Sequence, residues 1–250
     1  MYNKFIEYLD YNEVLDSKFI KKFNDKYIEE NNLGNYYEKT TIDFLKPVIA
    51  CYIKEKKEII VNTDAFIKTL LHTNDYDPFN LDPKIVYEIN KVMISTLYHE
   101  LTHVYQMKQF SEGDNKLLID MYNDSYKLIR HNNPLYKKIH KYVPIEWNAN
   151  FKSQILLDEF LKQDNINPNI KTWFDIGYYE SDGHIINPLE QYLYYSNKDY
   201  YEYYIKNNKY YNEFTDKEKI IYGLPISYEL YHNEKDIDKE KIKTYIKEMK

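Results

Sequence analysis

The sequence predicts an α+β fold with a helical majority, organised as one domain over residues 1–250. Several segments place apolar residues at helical spacing next to capping signals, and two β-branched runs flank a short polar link. The chain has 250 residues and a hydrophobic fraction of 43%, which suffice for one sizeable core. We expect a core domain over about 45–165, followed by a helical extension over about 166–250.

The N-terminal part predicts helices followed by a small antiparallel hairpin. Residues 2–33 carry apolar side chains at helical spacing, which indicates two short helices ending near Gly34. The β-branched runs 47–53 and 58–62 are typical of two paired strands. Asp64 then has the position of a cap for a short helix.

The remaining chain predicts mainly helices. The best-marked helix begins at Asp82, an acidic cap followed by a proline, and should continue to about Phe110, with Gly113 beyond its end. A second helix is predicted over 144–162. A third begins at an Asn-Pro pair at residue 187, and the charged tail from Asp216 is helical in pattern.

Composition excludes several classes of protein. A net charge of −6 argues against a nucleic-acid partner bound through a broad basic face, and the single cysteine excludes a disulfide framework. The first ten residues contain acids where a signal peptide has an apolar run, and no stretch approaches the roughly 18 apolar residues of a membrane span. We therefore expect no membrane partner and a cytoplasmic location, with release from the cell left open.

The segment His99-Glu100-Leu101-Thr102-His103 has the residue types and the spacing of a metal-binding motif. Two histidines at positions i and i+4 lie one helical turn apart, so both imidazoles can reach one metal ion. A catalytic zinc ion takes three protein ligands and keeps one open position. Glu100, between the two histidines, is then a candidate general base for a water molecule at that position.

The apolar spacing of this helix predicts that both histidines continue its buried stripe. Ile89, Val92 and Thr96 precede His99 and His103 at alternating intervals of three and four residues. The alternative interpretation is a pair of hydrogen-bonded core histidines beside an ordinary glutamate. Two buried imidazoles without a metal would need several compensating hydrogen bonds, which favours the metal site.

The segment Tyr98-His-Glu-Leu-Thr-His-Val-Tyr-Gln106 resembles the active-site helix of zincin metallopeptidases. The segment Pro144-Ile-Glu-Trp-Asn-Ala-Asn150 resembles the E-x-x-A-N part of the E-x-x-A-N-x-F helix of ImmA/IrrE-type peptidases in the glutamate-zincin branch, and Phe151 follows it directly. The resemblance implies that Glu146 is the third zinc ligand. The predicted hairpin also fits, because zincins place a substrate-pairing strand ahead of the active-site helix.

Glu190 competes with Glu146 for the role of third ligand. Glu190 stands three residues after Asn187, which is the capping-box position of a predicted helix and gives it an ordinary explanation. Glu146 lacks such a box and shares its helical face with the short side chains of Ala149 and Ser153. A carboxylate on this partly apolar face is costly unless it is paired or bound to a metal, which favours Glu146.

Cys51 and His184 are two further residues whose chemistry suits a site. Cys51 lies in an apolar run, which favours the role of a small hydrophobic residue over that of a ligand. His184 lies in a predicted turn and is a candidate transition-state stabiliser, although a surface turn is also an ordinary place for a histidine. The sequence thus predicts zinc-dependent hydrolysis of a protein or peptide substrate; the alternative is a non-catalytic structural or interaction protein that retains a zinc site.

Overall fold

The computed structural model of the chain is α+β and mostly helical, with a small three-stranded mixed sheet. The predicted fold class is confirmed at this level. The first predicted helix, Asp82, the helix from Asn187 and nearly all of the tail lie outside the described residues. The structure describes residues 14–46, 48–65, 83–113, 116, 119–123, 144–162, 178–179, 185–186, 211–215 and 218–219.

Helix α1 covers Ser17–Glu30 and has a well-formed cap at each end. The Asp16 carboxylate accepts a hydrogen bond from the backbone N–H of Phe19 at 2.6 Å. At the other end, Asn32 adopts a left-handed backbone with φ of 54°. The prediction that Gly34 ends this helix is therefore wrong, because asparagine also tolerates the left-handed conformation and takes that position earlier.

The mixed sheet has strands β1 (Lys39–Ile42), β2 (Ala50–Ile53) and β3 (Glu58–Val61) in the order β1-β3-β2. Strands β2 and β3 pair antiparallel across a 3₁₀ turn at Lys54–Lys56, which confirms the predicted hairpin. Strand β1 was not predicted, and it pairs in parallel with β3. All four residues of β3 are buried, as expected for a central strand.

Asn62 holds the loop between β1 and β2. Its side-chain amide donates to the carbonyl oxygens of Phe44 at 3.3 Å and Lys46 at 2.6 Å. Its side-chain oxygen accepts from the backbone N–H of Ala65 at 3.0 Å. Asn62, and not Asp64, therefore caps the helical turn that begins here, so the predicted cap is wrong by two residues.

Helices α2 (Pro83–Glu112) and α3 (Pro144–Lys162) confirm two predicted helices. Gly113 ends α2 with a positive φ of 75°, as its position in the sequence indicated. No helix in the described ranges is long and apolar enough to cross a bilayer. The remaining elements are β4 (Tyr178–Tyr179) and β5 (Ile185–Ile186), which pair with each other, and a 3₁₀ turn at Tyr211–Glu213.

The chain divides into two compact units whose boundaries fall inside α2 and α3. The first unit contains α1, the mixed sheet, α2 as far as Lys108 and α3 from Lys152. The second unit contains the end of α2 and α3 as far as Phe151, and its buried residues include Tyr122 and Trp147. The predicted single domain with an extension from about residue 166 stays a prediction.

Helices α1 and α2 of the first unit run in the same direction. The backbone N–H of Leu15 donates to Asn90 Oδ1 at 2.9 Å near the start of both helices. Lys108 Nζ donates to the carbonyl oxygen of Asn31 at 3.4 Å near their ends. Hydrogen bonds at both ends limit sliding of α2 along α1. They therefore fix the position of His99–His103 relative to α1.

Candidate metal centre

The ring of Tyr98 packs into the core, and this packing sets the orientation of the adjacent residues His99–His103 on α2. Its ring contacts those of Phe23 and Phe160, with centroids 5.0 and 6.5 Å away. Successive residues of a helix are about 100° apart, so His99 and His103 lie at the edge of the buried face and are half-buried. The predicted stripe is wrong at Val92, which is 36% exposed. The buried face instead follows Ile89, Met93, Leu97, Leu101 and Val104.

The two imidazoles have the spacing of a pair that shares one ion. Their ring centroids lie 4.7 Å apart with planes at 86°, and their Nε2 atoms are 3.0 Å apart. Two Zn–N bonds of about 2.05 Å at a tetrahedral angle separate the nitrogens by about 3.3 Å. Two nitrogen lone pairs repel each other at this distance unless a hydrogen or a cation lies between them. The distance is compatible both with a direct N–H···N hydrogen bond between the rings and with a cation that the two rings share.

Glu146 is the third member of the cluster. It is half-buried in the first turn of α3, between the buried side chains of Ile145 and Trp147. One ligand atom from each of His99, His103 and Glu146 lies within 4.8 Å of the others. The structure therefore brings together the three residues that the sequence predicted as ligands. Two imidazoles and a carboxylate are the ligand set of a catalytic zinc site.

Glu100 is only 6% exposed although its side chain is acidic. Within the described ranges, no ion pair neutralises this carboxylate. A buried carboxylate without a cationic partner is costly. Its place in the chain, between His99 and His103, is the one that the sequence predicts for the general base.

The structure also identifies Gln106, which the sequence analysis missed as a site residue. Its side chain is fully buried, and its Oε1 atom lies 2.8 Å from Nδ1 of His103. The signal in the sequence is its spacing, because a residue three positions after His103 lies on a neighbouring part of the same helical face. The hydroxyl group of Thr102 donates a hydrogen bond to the carbonyl oxygen of Tyr98 at 2.8 Å, so this hydrogen bond lies within α2.

Cys51 lies on β2 and is partly exposed. Burial raises the pKa of its thiol, and the negative charge of Glu100 raises it further. This electrostatic effect indicates that β2 lies near the motif. Cys51 is not part of the cluster formed by His99, His103 and Glu146. The candidate stabiliser His184 and the alternative ligand Glu190 lie outside the described residues.

No protein-family model, curated protein or solved structure matches this chain. The resemblance to zincin peptidases therefore stays a prediction from the two helical segments, and a function has to be argued from the site itself.

Proposed function

We propose that this chain is a zinc-dependent peptidase. The observation that carries the proposal is the cluster of His99, His103 and Glu146, whose ligand atoms lie within 4.8 Å of one another. The buried carboxylate of Glu100 on the same helix supports a catalytic role over a purely structural one. A structural zinc site is normally closed by four protein ligands, whereas the three ligands found among the described residues would leave one position open.

The charge of the ligand set also suits a zinc ion that acts as a Lewis acid. Two neutral imidazoles and one carboxylate would leave a Zn²⁺ site with a net charge of +1. A bound zinc ion would polarise the scissile carbonyl group and lower the pKa of a water molecule at the open position toward about 7. His99 and His103 would contribute Nε2 as ligand atoms, because these are the two nitrogens that face each other.

Glu100 would move the proton that peptide hydrolysis requires. Its carboxylate accepts a proton from the attacking water while the water oxygen bonds to the carbonyl carbon. The protonated side chain then returns this proton to the amide nitrogen as the C–N bond breaks, so that one carboxylate acts first as base and then as acid.

Strand β2 is suited to hold an extended substrate. In the order β1-β3-β2 it lies at an edge of the three-stranded sheet, so one side of its backbone has no partner among the strands that the structure describes. The negative charge of Glu100 raises the pKa of the Cys51 thiol on this strand in addition to the effect of burial, which indicates that β2 lies near the motif. A peptide that adds to the edge through main-chain hydrogen bonds would pass close to the catalytic carboxylate.

Metal analysis and a hydrolysis assay test the proposal together. We expect about one zinc ion per chain, and we expect His99→Ala or His103→Ala to remove it. The wild-type chain should hydrolyse an unfolded protein substrate, lose this activity with a chelator and regain it when zinc is restored. Full zinc occupancy in either variant contradicts the proposed ligands. Tight zinc binding without hydrolysis favours the alternative of a non-catalytic zinc protein.

A further inference from the structure

We propose that Gln106 is a positioning residue that sets the tautomer of His103 and directs its Nε2 lone pair toward the metal. This inference rests on the proposed function. Gln106 Oε1 lies 2.8 Å from His103 Nδ1, and the glutamine side chain is 0% exposed. The contact is therefore a direct hydrogen bond, and burial of the glutamine keeps solvent from competing for its Oε1 atom.

The chemistry of the two groups determines where the proton lies. An amide oxygen only accepts hydrogen bonds, so Nδ1 of His103 must carry the hydrogen. A neutral imidazole has one N–H group, which leaves the lone pair on Nε2. His103 Nε2 is the atom that faces His99 Nε2 at 3.0 Å, so this tautomer presents the lone pair where the metal would bind.

The opposite tautomer would prevent metal binding through Nε2, because that nitrogen would carry a hydrogen. Partners of this kind, which bind the second nitrogen of a ligating histidine, orient the ring and raise its affinity for the metal. Gln106 differs from the common carboxylate partner because it adds no negative charge. It would therefore orient His103 while the ligand set keeps its net charge of +1 with zinc.

The first test uses the wild-type chain without metal, so it does not depend on any variant folding. Long-range ¹H–¹⁵N spectra of protein with ¹⁵N-labelled histidine distinguish the two tautomers of each ring. The signal of His103 is assigned by its loss in His103→Asn. We expect the Nδ1–H tautomer at His103, and finding the hydrogen on Nε2 would overturn the inference.

The second test measures zinc affinity by competition with a chelator of known affinity. Gln106→Leu removes the acceptor and should raise the dissociation constant for zinc about 10–100-fold. Gln106→Glu keeps an acceptor and should bind zinc at least as tightly as the wild type. A role of Gln106 in packing alone would not predict this difference between the two variants. Gln109→Leu is the matched control, since Gln109 is on the same helix and accepts a hydrogen bond from Tyr122 instead.

The outcomes separate this inference from the proposed function. If the wild type binds zinc and Gln106→Leu binds it equally well, the inference is wrong and the proposed function is unaffected. If the wild type does not bind zinc, the proposed function is wrong and the metal role of Gln106 is lost with it. If Gln106→Leu does not fold, weak zinc binding by a folded Gln106→Glu would overturn the inference.

Discussion

Glu100 and Glu146 carry the same carboxylate in different surroundings. A carboxylate oxygen of Glu146 lies within 4.8 Å of a nitrogen atom of each of the two imidazoles. Glu100, in contrast, is buried on α2 without a cationic partner in the described ranges. A metal ligand must direct a lone pair at the ion, and a general base must remain free to accept a proton. The two roles that we propose therefore rest on the surroundings of each carboxylate, and they predict different effects of substitution.

Replacing Glu100 by glutamine should separate metal binding from catalysis. Glu100→Gln keeps the shape of the side chain but removes the base, so zinc content should stay near that of the wild type while hydrolysis falls about 100-fold or more. Zinc analysis and initial rates measure the two effects. The control is Glu112→Gln, an exposed glutamate at the end of the same helix, which should leave both unchanged. Undiminished hydrolysis in Glu100→Gln would show that another group is the base.

Replacing Glu146 should weaken zinc binding sharply. Glu146→Ala removes the charged ligand, and the zinc dissociation constant should rise far more than in Glu159→Ala, an exposed glutamate on the same helix. Glu190→Ala should cost at most about 1 kcal/mol of stability through loss of a helix cap. Zinc titrations of the three variants decide between the ligands. A sharp loss in Glu190→Ala with normal binding in Glu146→Ala would move the third ligand to Glu190.

The turn between β2 and β3 contains an energetically unfavourable backbone. Lys57 has a φ of 51° and a ψ of 38°, the left-handed region that a residue with a Cβ atom rarely adopts. Its side chain is exposed, and its backbone N–H donates to the carbonyl oxygen of Lys54 at 3.2 Å. The turn that joins β2 to β3 therefore contains backbone strain at Lys57.

Lys57→Gly should stabilise the hairpin because glycine adopts this backbone without a steric cost. We expect the free energy of unfolding to rise by about 0.5–1 kcal/mol, measured by urea denaturation. Lys56→Gly is the matched control, since Lys56 has no positive φ and glycine should lower the stability there. Equal destabilisation by both substitutions would contradict the strain at Lys57.

Zinc should stabilise the chain as a whole if it binds the folded state at the proposed site. Free zinc at 100 times its dissociation constant raises the free energy of unfolding by about 2.7 kcal/mol. For a chain of 250 residues this corresponds to an increase of about 5–10 °C in Tm. Differential scanning calorimetry with zinc or with a chelator measures the shift, and His99→Ala should abolish it. An equal shift in His99→Ala would mean that zinc binds elsewhere.

Local patterns were sufficient to predict several elements of this chain. The bounds of α3 match the prediction, and α2 differs from it by about two residues at its end, because caps and apolar periodicity act over a few neighbouring residues. The spacing of His99 and His103 likewise predicted two imidazoles one turn apart, since that distance depends only on helical geometry. The hairpin followed from two β-branched runs and the short link between them.

Contacts between distant parts of the chain decided the rest. The parallel pairing of β1 makes β3 the central strand, and nothing local to Lys39–Ile42 specifies that partner. The packing of Tyr98 against Phe23 and Phe160 sets the rotation of α2, which exposes Val92. Helical periodicity specifies which residues share a face, but only packing between segments far apart in sequence determines which face is buried. Glu146 is likewise far from the two histidines in sequence, and its ligand atom nevertheless lies within 4.8 Å of theirs.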